Sequence, residues 1–203
     1  MELIKINKNA KDYGIPIIRD ESHKFLEEII KEKKPTKVLE IGTAVGYSGI
    51  TILSSCNAKL FTIEHNKDFA KKAIKNFKKY KLNRRVKLIL GDCQVEIAKM
   101  LASKKYDNYF DIIFLDGPKA QYSNMLDNLL YMLAPNGTFI ADNVLFRGYI
   151  ESPESAPTKR YKTIIKRLNT FIEACKNHKK LTNFKLIYIE DGIITAQKVN
   201  DDK

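Results

Sequence analysis

The sequence predicts an α/β fold built on a mostly parallel β-sheet, and three observations support this. Apolar runs of strand length alternate with runs of helix length as far as residue 143 of the 203 residues. A glycine-spaced turn separates the first strand from the helix behind it. Near the C-terminus, two apolar runs flank Asp191-Gly192, which is a signal for a β-hairpin. Because strand-helix-strand units cross over in the right-handed sense, the alternation gives parallel strands with helices on both faces.

The N-terminal part is predicted to be helical. Apolar residues recur at helical spacing over 22–34, and Pro35 closes this run. We therefore expect an N-terminal helical segment over about 1–35. The first strand follows at 38–41, and an apolar helix begins after the glycine turn.

The remaining elements alternate until the hairpin. The predicted strands are 59–64, 86–90, 110–117, 137–143, 185–190 and 193–199. The predicted helices are 67–81, 95–102, 125–133 and roughly 159–177. Together they make a seven-stranded sheet with one antiparallel C-terminal strand, which resembles the Rossmann-like class I methyltransferase fold. Since no linker, repeat or low-complexity tract divides the chain, we expect a single domain over 1–203.

The segment VLEIGTAVGYSGITIL, residues 38–53, has the form of a site for a nucleotide-sized cofactor. Its glycines allow a tight turn and a close approach of the backbone to a ligand. Three residues separate Gly42 from Gly46, which departs from the dinucleotide fingerprint, and no Lys stands in the Walker position. Glu40 would repel a phosphate but suits a cationic amino-acid group, such as the methionine end of S-adenosylmethionine. The alternative is a generic strand-turn-helix.

Acidic residues stand at the ends of the five predicted parallel strands: Glu40, Glu64, Asp92, Asp116 and Asp142. In an open α/β sheet, ligands bind beyond the carboxyl ends of the strands. Glu64 lies about twenty residues past the glycine turn, where an acid accepts hydrogen bonds from a ribose diol. Gly91-Asp92-Cys93 would then flank the adenine. The alternative for each acid is an ordinary helix cap.

A second group of residues predicts a metal site. If the strands that end at Asp116 and Asp142 are neighbours, two carboxylates and the amide oxygen of Asn143 converge on one point. Mg²⁺ prefers hard oxygen ligands of this kind, with positions left over for water and substrate. Lys119 is close enough to act as a base or to stabilise an oxyanion, and a bound metal would lower the pKa of a substrate hydroxyl.

Three motifs carry a resemblance to a known family: VLEIGTAVGYS, FLDGPKAQY and ADNVLFRG. They resemble the metal-dependent O-methyltransferases of the catechol and caffeoyl-CoA type, and most of all the bacterial tRNA 5-hydroxyuridine methyltransferases. The resemblance spans roughly residues 13–199. One departure is Gly117-Pro118, where the bacterial branch often has two alanines.

The resemblance implies an O-methyltransferase that depends on S-adenosylmethionine and Mg²⁺, and it implies a homodimer. The residues implied to hold the cofactor or line its pocket are Ile18, Glu40, Gly42, Ser48, Glu64, Asp92, Cys93 and Asp116. The implied metal ligands are Asp116, Asp142 and Asn143. Catalysis would rest on Lys119 together with Asp116. Arg147 would reach a nucleotide phosphate or base near the metal, and a surface arginine is the alternative.

The formal net charge of +12 indicates either a polyanionic partner or a solvated lysine-rich surface. Basic residues concentrate in two runs, at 71–85 and 159–167. Because phosphate contacts supply most nonspecific affinity for nucleic acid, we expect tRNA as the partner, with 5-hydroxyuridine at the wobble position methylated to 5-methoxyuridine. A small catechol-like or caffeoyl-CoA-like substrate is the alternative, since it offers a metal the same pair of adjacent oxygens.

Composition favours the cytoplasm. The N-terminus alternates polar and apolar residues, so neither a signal peptide nor a membrane span is expected. The three cysteines, Cys56, Cys93 and Cys175, are isolated in the sequence and odd in number. This argues against a disulfide framework and against a cysteine-based metal site, as in a reducing compartment.

Two other functions compete with a methyltransferase. A serine hydrolase would use Ser48 as its nucleophile, but Ile50 stands where the nucleophile elbow needs glycine. A non-catalytic RNA-binding protein would account for the positive charge but leaves the acidic strand ends unexplained. Binding of S-adenosylmethionine distinguishes the methyltransferase from the RNA-binding protein.

Overall fold

The computed structural model describes residues 17–146 and 148–200, in which strands and helices alternate. The strands are β1 (Lys37–Ile41), β2 (Lys59–Glu64), β3 (Val86–Leu90), β4 (Phe110–Leu115), β5 (Leu133–Asp142), β6 (Leu181–Ile187) and β7 (Ile193–Lys198). The helices are α1 (Asp20–Lys33), α2 (Tyr47–Ser55), α3 (Lys67–Lys79), α4 (Cys93–Ala102), α5 (Tyr122–Met132) and α6 (Lys159–Asn177). Short 3₁₀ turns lie at Asn83–Arg85, Lys119–Gln121 and Pro153–Ser155.

The strands form a seven-stranded sheet in the order β3-β2-β1-β4-β5-β7-β6. β1, β2 and β3 pair in parallel, as do β4 and β5, whereas β7 is antiparallel to both β5 and β6. A short turn can join β6 to β7 because antiparallel strands need no crossover. The predicted fold class, a mostly parallel sheet with one antiparallel C-terminal strand and helices around it, is confirmed.

Two strands depart from their predicted limits. β6 ends at Ile187 rather than at residue 190, because the Gly192 amide donates to the Ile189 carbonyl at 2.8 Å and closes a turn there. At its other end β6 extends back to Leu181, which pairs with Lys198 of β7. β5 likewise begins earlier than predicted, where it pairs with β4. Strand pairing, which the periodicity of one segment does not encode, sets these limits. All other boundaries agree to within three residues.

The chain divides into two compact units, one up to Glu96 and the other from Ile97. The single domain over 1–203 stays a prediction. Of the N-terminal segment predicted to be helical, residues 1–16 lie outside the described residues, and the described part contains α1. Leu26 and Ile30, from the apolar stripe of the sequence, form the buried face of α1.

In the first unit, α2 lies so close to its neighbours that a side chain at either of two glycine positions would crowd them. A Cβ on Gly49 would lie 2.8 Å from Cδ2 of Leu60 and 2.9 Å from Cζ of Phe77. A Cβ on Gly46, whose φ is +83°, would lie 3.0 Å from the same Phe77 atom. The sequence predicts that the glycines let the backbone approach a ligand. The structure gives these two a packing role, since they let the Phe77 ring of α3 reach the turn.

An arginine donates hydrogen bonds to the carbonyl oxygens at the C-terminal end of α2. The Arg85 guanidinium donates to the carbonyl oxygens of Leu53 at 2.6 Å and Cys56 at 2.8 Å. The last carbonyls of a helix have no partner within the helix, and the helix dipole favours a cation beside them. Arg85 lies in the basic run at 71–85 that the sequence predicts to contact phosphates. In the structure its guanidinium binds backbone carbonyls of the protein itself.

In the second unit, the turn between β6 and β7 holds the segment that follows β5. The amide of Val144 donates to the Gly192 carbonyl at 3.1 Å, and the amide of Leu145 donates to the Asp191 carbonyl at 2.7 Å. Gly192 has a φ of +78°, a left-handed conformation that glycine adopts without steric cost. The hairpin predicted from Asp191-Gly192 therefore fixes the backbone directly after the acidic end of β5.

Within the described part of the chain, every helix is too short or too polar to cross a membrane. All three cysteines are free thiols, and two of them, Cys93 and Cys175, are buried.

Gly192→Ala should destabilise the protein more than Gly148→Ala does. The two glycines have φ values of +78° and +76°, so both substitutions carry a left-handed cost of about 1–2 kcal/mol. A Cβ on Gly192 would overlap Leu145 and lie 2.7 Å from its Cδ1, whereas one on Gly148 would meet nothing within 4 Å. Overpacking should add roughly 1–3 kcal/mol for Gly192→Ala alone. Chemical denaturation measures both free energies of unfolding, and equal losses would contradict the packing role.

Candidate functional site

The predicted site residues fall into two groups, one in each compact unit. The group in the first unit consists of Glu40, Ser48 and Glu64, with Thr43 and Thr62 beside them. The group in the second unit consists of Asp116, Lys119, Asp142 and Asn143. Both groups lie at or just beyond the carboxyl ends of parallel strands, which is where open α/β sheets place their ligands.

Glu40 is a fully buried carboxyl group surrounded by hydroxyl groups. The Ser48 hydroxyl donates to Oε1 at 2.5 Å, and the Thr62 hydroxyl donates to Oε2 at 2.5 Å. Thr62 stands directly beside Glu40 in the parallel register of β1 and β2. Thr43 extends the arrangement, with its Oγ1 lying 2.5 Å from that of Thr62. A buried carboxyl group is tolerated because each of its oxygens has a hydrogen-bond partner.

Burial raises the pKa of Glu40 to about 7. The hydrogen bonds from Ser48 and Thr62 act in the opposite direction, and the negative charge of Glu64 adds to the increase. Desolvation is the largest cause, since a low-dielectric surrounding disfavours the charged form of an acid. The side chain is therefore poised between its neutral and its ionised form near neutral pH, and a cation beside it would favour the carboxylate.

Glu64 holds the turn that follows β1. Its Oε2 accepts from the amide of Ala44 at 2.8 Å, and its Oε1 accepts from the amide of Asn66 at 2.8 Å. Gly42 and Ala44 have φ values of +98° and +45°. The left-handed region costs a residue such as Ala44 about 1–2 kcal/mol, and its hydrogen bond to a charged oxygen offsets that cost. Oε1 also lies 3.3 Å from Nδ1 of His65. Since each carboxylate oxygen accepts twice, Oε2 of Glu64 retains capacity for a ribose hydroxyl.

The other residues predicted to contact the cofactor have simpler surroundings. Asp92 is exposed and caps α4, with its Oδ1 accepting from the amides of Gln94 and Val95 at 2.9 and 3.2 Å. This is the helix-cap alternative considered in the sequence analysis, and it leaves the other carboxylate oxygen of Asp92 available. Cys93 is buried, and burial raises the pKa of its thiol. Ile18, just before α1, is 3% exposed.

Asp142 ends β5 with its side chain fully buried. Its Oδ1 accepts from the amide of Asn143 at 2.7 Å, whereas its Oδ2 has no hydrogen-bond partner among the described residues. Burial raises the pKa of Asp142 to about 8, and the negative charges of Asp116 and Asp191 add to this increase. The hydrogen bond from the Asn143 amide and the positive charge of Lys119 lower the pKa. A buried oxygen without a donor is costly, and a bound cation would remove that cost.

The residue that joins the two strand ends of this acidic group is Tyr122, which is not among the predicted site residues. The hydroxyl of Tyr122, which is fully buried, lies 3.3 Å from the carbonyl oxygens of both Leu115 and Asp142. It therefore ties the end of β4, next to Asp116, to the end of β5. The sequence offers one indication of this role, because Tyr122 is the last residue of the motif FLDGPKAQY. The predicted helix begins only at residue 125 and so does not include Tyr122.

A second missed contact holds the turn that carries Lys119. Nη1 of Arg167 on α6 donates to the Ala120 carbonyl at 3.1 Å, and the hydroxyl of Ser123 donates to the Arg167 carbonyl at 3.4 Å. The sequence places Arg167 in the basic run predicted to contact phosphates. In the structure its guanidinium also contacts the 3₁₀ turn beside α5, where Nη1 is used on the Ala120 carbonyl.

The structure provides no partner that would make Ser48 a hydrolytic nucleophile among the described residues. Ser48 donates to a carboxyl group, His23 contacts Thr51, and His65 and His178 each contact a carboxylate. The serine hydrolase alternative therefore lacks its base.

Arg147 lies outside the described residues. No cluster of three His, Cys, Asp or Glu side chains suited to a metal ion occurs in the part of the chain that the structure describes. The predicted metal ligands differ from such a cluster, because they combine two carboxylates with the Asn143 amide. The roles assigned to the site residues stay predictions.

Comparison with known proteins gives a consistent result. A family model described as O-methyltransferase matches residues 2–199. A caffeoyl-CoA O-methyltransferase from Stellaria longipes is 26% identical over 133 residues, which cover 64% of this chain and 55% of the plant protein. The match thus spans little more than half the length of that relative.

Solved structures share the fold. A Staphylococcus aureus protein assigned to the caffeoyl-CoA O-methyltransferases superposes with a TM-score of 0.89 at 24% identity, covering 98% of this chain and 92% of the other. An O-methyltransferase from Bacillus cereus in complex with SAH superposes with a TM-score of 0.82 at 22% identity, covering 97% and 90% of the two chains.

Proposed function

Because the chain belongs to the O-methyltransferase family, we propose that it transfers the methyl group of S-adenosylmethionine to an oxygen atom of its acceptor with the help of a divalent cation. The prediction of an S-adenosylmethionine-dependent O-methyltransferase is confirmed at the level of that family. The observation that carries the proposal is the pair of buried, solvent-excluded carboxyl groups at strand ends, Glu40 and Asp142, which are each suited to a cation.

Residues of the first unit would hold the cofactor. The Glu40 carboxylate would bind the ammonium group of the methionine end, and Ser48 would keep that carboxylate in place. Glu64 would accept hydrogen bonds from the ribose, and Asp92 and Cys93 would lie near the adenine. S-adenosylmethionine, when bound, supplies a methyl group activated by the positive charge of its sulfonium. The SAH held by the Bacillus cereus neighbour supports the choice of cofactor. The contacts implied for Ile18 and Asp116 rest on the family resemblance.

Glu64→Ala should weaken binding of S-adenosylhomocysteine by about 1–3 kcal/mol, because ribose hydroxyls would lose their buried acceptor. Isothermal titration calorimetry measures the affinity. Glu28→Ala, which removes an exposed carboxylate from α1, serves as the matched control and should bind like the wild type. Thermal unfolding of Glu64→Ala in the absence of ligand tests whether the turn at Ala44 survives. An unchanged affinity in a folded Glu64→Ala protein would remove the ribose assignment.

Residues of the second unit fit a hard divalent cation. Asp142 offers a buried oxygen without a donor, Asp116 adds a second negative charge, and the Asn143 amide adds a neutral oxygen. Asn143 is fixed in a left-handed conformation with φ of +57° by the backbone pairing of the residues after it. Mg²⁺ bound there would lower the pKa of an acceptor hydroxyl. Lys119 would assist deprotonation, since its positive charge favours the ionised oxygen.

Asp142→Asn should abolish binding of Mg²⁺ and lower turnover by at least a hundredfold, because the oxygen that lacks a donor is lost as an anionic ligand. Calorimetric titration with Mg²⁺ or Mn²⁺ reads the metal site without any substrate, and turnover is measured with and without EDTA. Asp127→Asn removes an exposed carboxylate on α5 and should change neither measurement. Full wild-type turnover in EDTA would contradict the metal proposal.

The acceptor that we propose is 5-hydroxyuridine at the wobble position of tRNA. Its hydroxyl and the neighbouring carbonyl offer a metal two adjacent oxygens, and the net charge of +12 favours a polyanion. In the run at 71–85, Lys75 and Lys78 are exposed on α3, and in the run at 159–167, Lys162 and Lys166 are exposed on α6. These lysines are available to phosphates, whereas Arg85 and Arg167 use some of their guanidinium donors on backbone carbonyls.

A caffeoyl-CoA-like or catechol-like substrate is the second candidate. The name of the Stellaria longipes relative favours it, and the vicinal oxygens of a catechol ring suit the same metal ligands. Under this alternative the exposed lysines of the two runs are a solvated surface.

The two acceptors differ in their expected response to charge reversal. The combined substitution of Lys75, Lys78, Lys162 and Lys166 by Glu should raise the KM for tRNA that carries 5-hydroxyuridine at least tenfold and reduce the salt dependence of binding. Lys176 and Lys179, exposed and outside both runs, provide the matched control when reversed. Methyl transfer to a catechol should stay unchanged. If the tRNA accepts no methyl group while a caffeoyl ester does, the second candidate is correct.

Two further properties remain predictions. The homodimer rests on the family resemblance, and the cytoplasmic location rests on the composition of the sequence. Size-exclusion chromatography with light scattering measures the oligomeric state.

A further inference from the structure

Glu40 lies at one end of a chain of buried hydroxyl groups. Thr62 Oγ1 is 2.5 Å from Glu40 Oε2, and Thr43 Oγ1 is 2.5 Å from Thr62 Oγ1. Glu40 and Thr62 are fully buried, and Thr43 is 1% exposed. Hydroxyl groups both donate and accept, and their hydrogens rotate to suit their neighbours. The order of donors along this chain is therefore reversible.

The protonation state of Glu40 decides the direction of the chain. When Glu40 is a carboxylate, Thr62 donates to it, so Thr62 must accept from Thr43. When Glu40 carries a proton on Oε2, that proton is donated to Thr62, and Thr62 in turn donates to Thr43. Both states leave the link between Glu40 and Thr62 satisfied. Neither state requires a side chain to move, and neither leaves the Glu40 oxygen Oε2 or the Thr62 hydroxyl unpaired.

We propose that Thr62 and Thr43 form a reversible hydroxyl relay that keeps Glu40 hydrogen-bonded in both of its protonation states, so that Glu40 loses one proton when the cationic amino group of the cofactor binds. The inference rests on the proposed function, in which Glu40 receives that ammonium group. Thr62 is thus a positioning residue that acts through Glu40. The proton balance is simple, since the ligand keeps its ammonium proton and the proton of neutral Glu40 passes to the buffer.

The charges around Glu40 agree with this exchange. Burial raises the pKa of Glu40 to about 7, so a large fraction of the ligand-free protein holds the proton at neutral pH. The charged side chain that acts on Glu40 is Glu64, which is negative and favours the neutral form. The groups that favour the carboxylate are the hydroxyls of Ser48 and Thr62. A ligand cation reverses this balance, because it attracts the ionised form.

The exchange is measurable by calorimetry with S-adenosylhomocysteine in buffers of different ionisation enthalpy. With a carboxyl pKa near 7, binding should release about 0.9 proton at pH 6 and about 0.1 proton at pH 8. Affinity should rise over the same interval, because at higher pH less of the ligand-free protein has a proton to lose. Wild-type binding without proton release at pH 6 would overturn the relay and leave the cofactor assignment intact. Absence of binding at both pH values would overturn the cofactor assignment itself, and the relay with it.

Thr62→Val removes the hydroxyl at nearly constant volume and should weaken binding about tenfold at pH 6 but only about twofold at pH 8. These values follow from an increase of one unit in the carboxyl pKa when a donor to the charged form is lost. Thr62→Ser retains a hydroxyl and should restore the wild-type pH profile. Thr138→Val, the same change at a buried threonine of β5, is the matched control and should bind like the wild type. A loss of equal size at both pH values would mean that Thr62 only supports the fold.

Discussion

The constraint on which the candidate site depends is the burial of carboxyl groups at the ends of parallel strands. Glu40 and Asp142 are both 0% exposed, and an acid removed from water must be neutral, hydrogen-bonded or matched by a cation. The two residues meet this requirement differently. Glu40 is held by two hydroxyls, whereas one oxygen of Asp142 has no donor among the described residues. The chemistry proposed for each follows from that difference.

Backbone geometry supports these carboxyl groups through contacts that are local within each unit. In the first unit, Glu64 accepts from the left-handed Ala44 and so fixes the turn above Glu40. In the second, Gly192 and Asp191 accept from the two amides that follow Asn143. Glycine at position 192 is required by both its φ and the proximity of Leu145. In both units a hydrogen bond to the backbone therefore fixes the segment next to a candidate site residue.

The positive charge of the chain is divided between fold and surface. Arg85 caps α2, and Arg167 holds the turn that contains Lys119. An arginine with its guanidinium bound to carbonyl oxygens has fewer donors left for a phosphate. The lysines of the same two runs remain exposed and available to a partner. A count of basic residues in the sequence does not distinguish these two uses, and the distinction matters for any test of polyanion binding.

The sequence by itself determined the fold class, the order of the strands and helices along the chain, and the positions of the acids at the strand ends. It could do so because apolar periodicity and glycine spacing are local properties. Only the tertiary structure decided which strands pair, and hence that Thr62 stands beside Glu40 and that Tyr122 joins the ends of β4 and β5. It also assigned Gly49 to packing against Phe77 and Arg85 to a helix end. Most of these contacts join residues that are distant in the sequence. They form only in the folded chain, where buried polar atoms need hydrogen-bond partners and apolar groups pack closely.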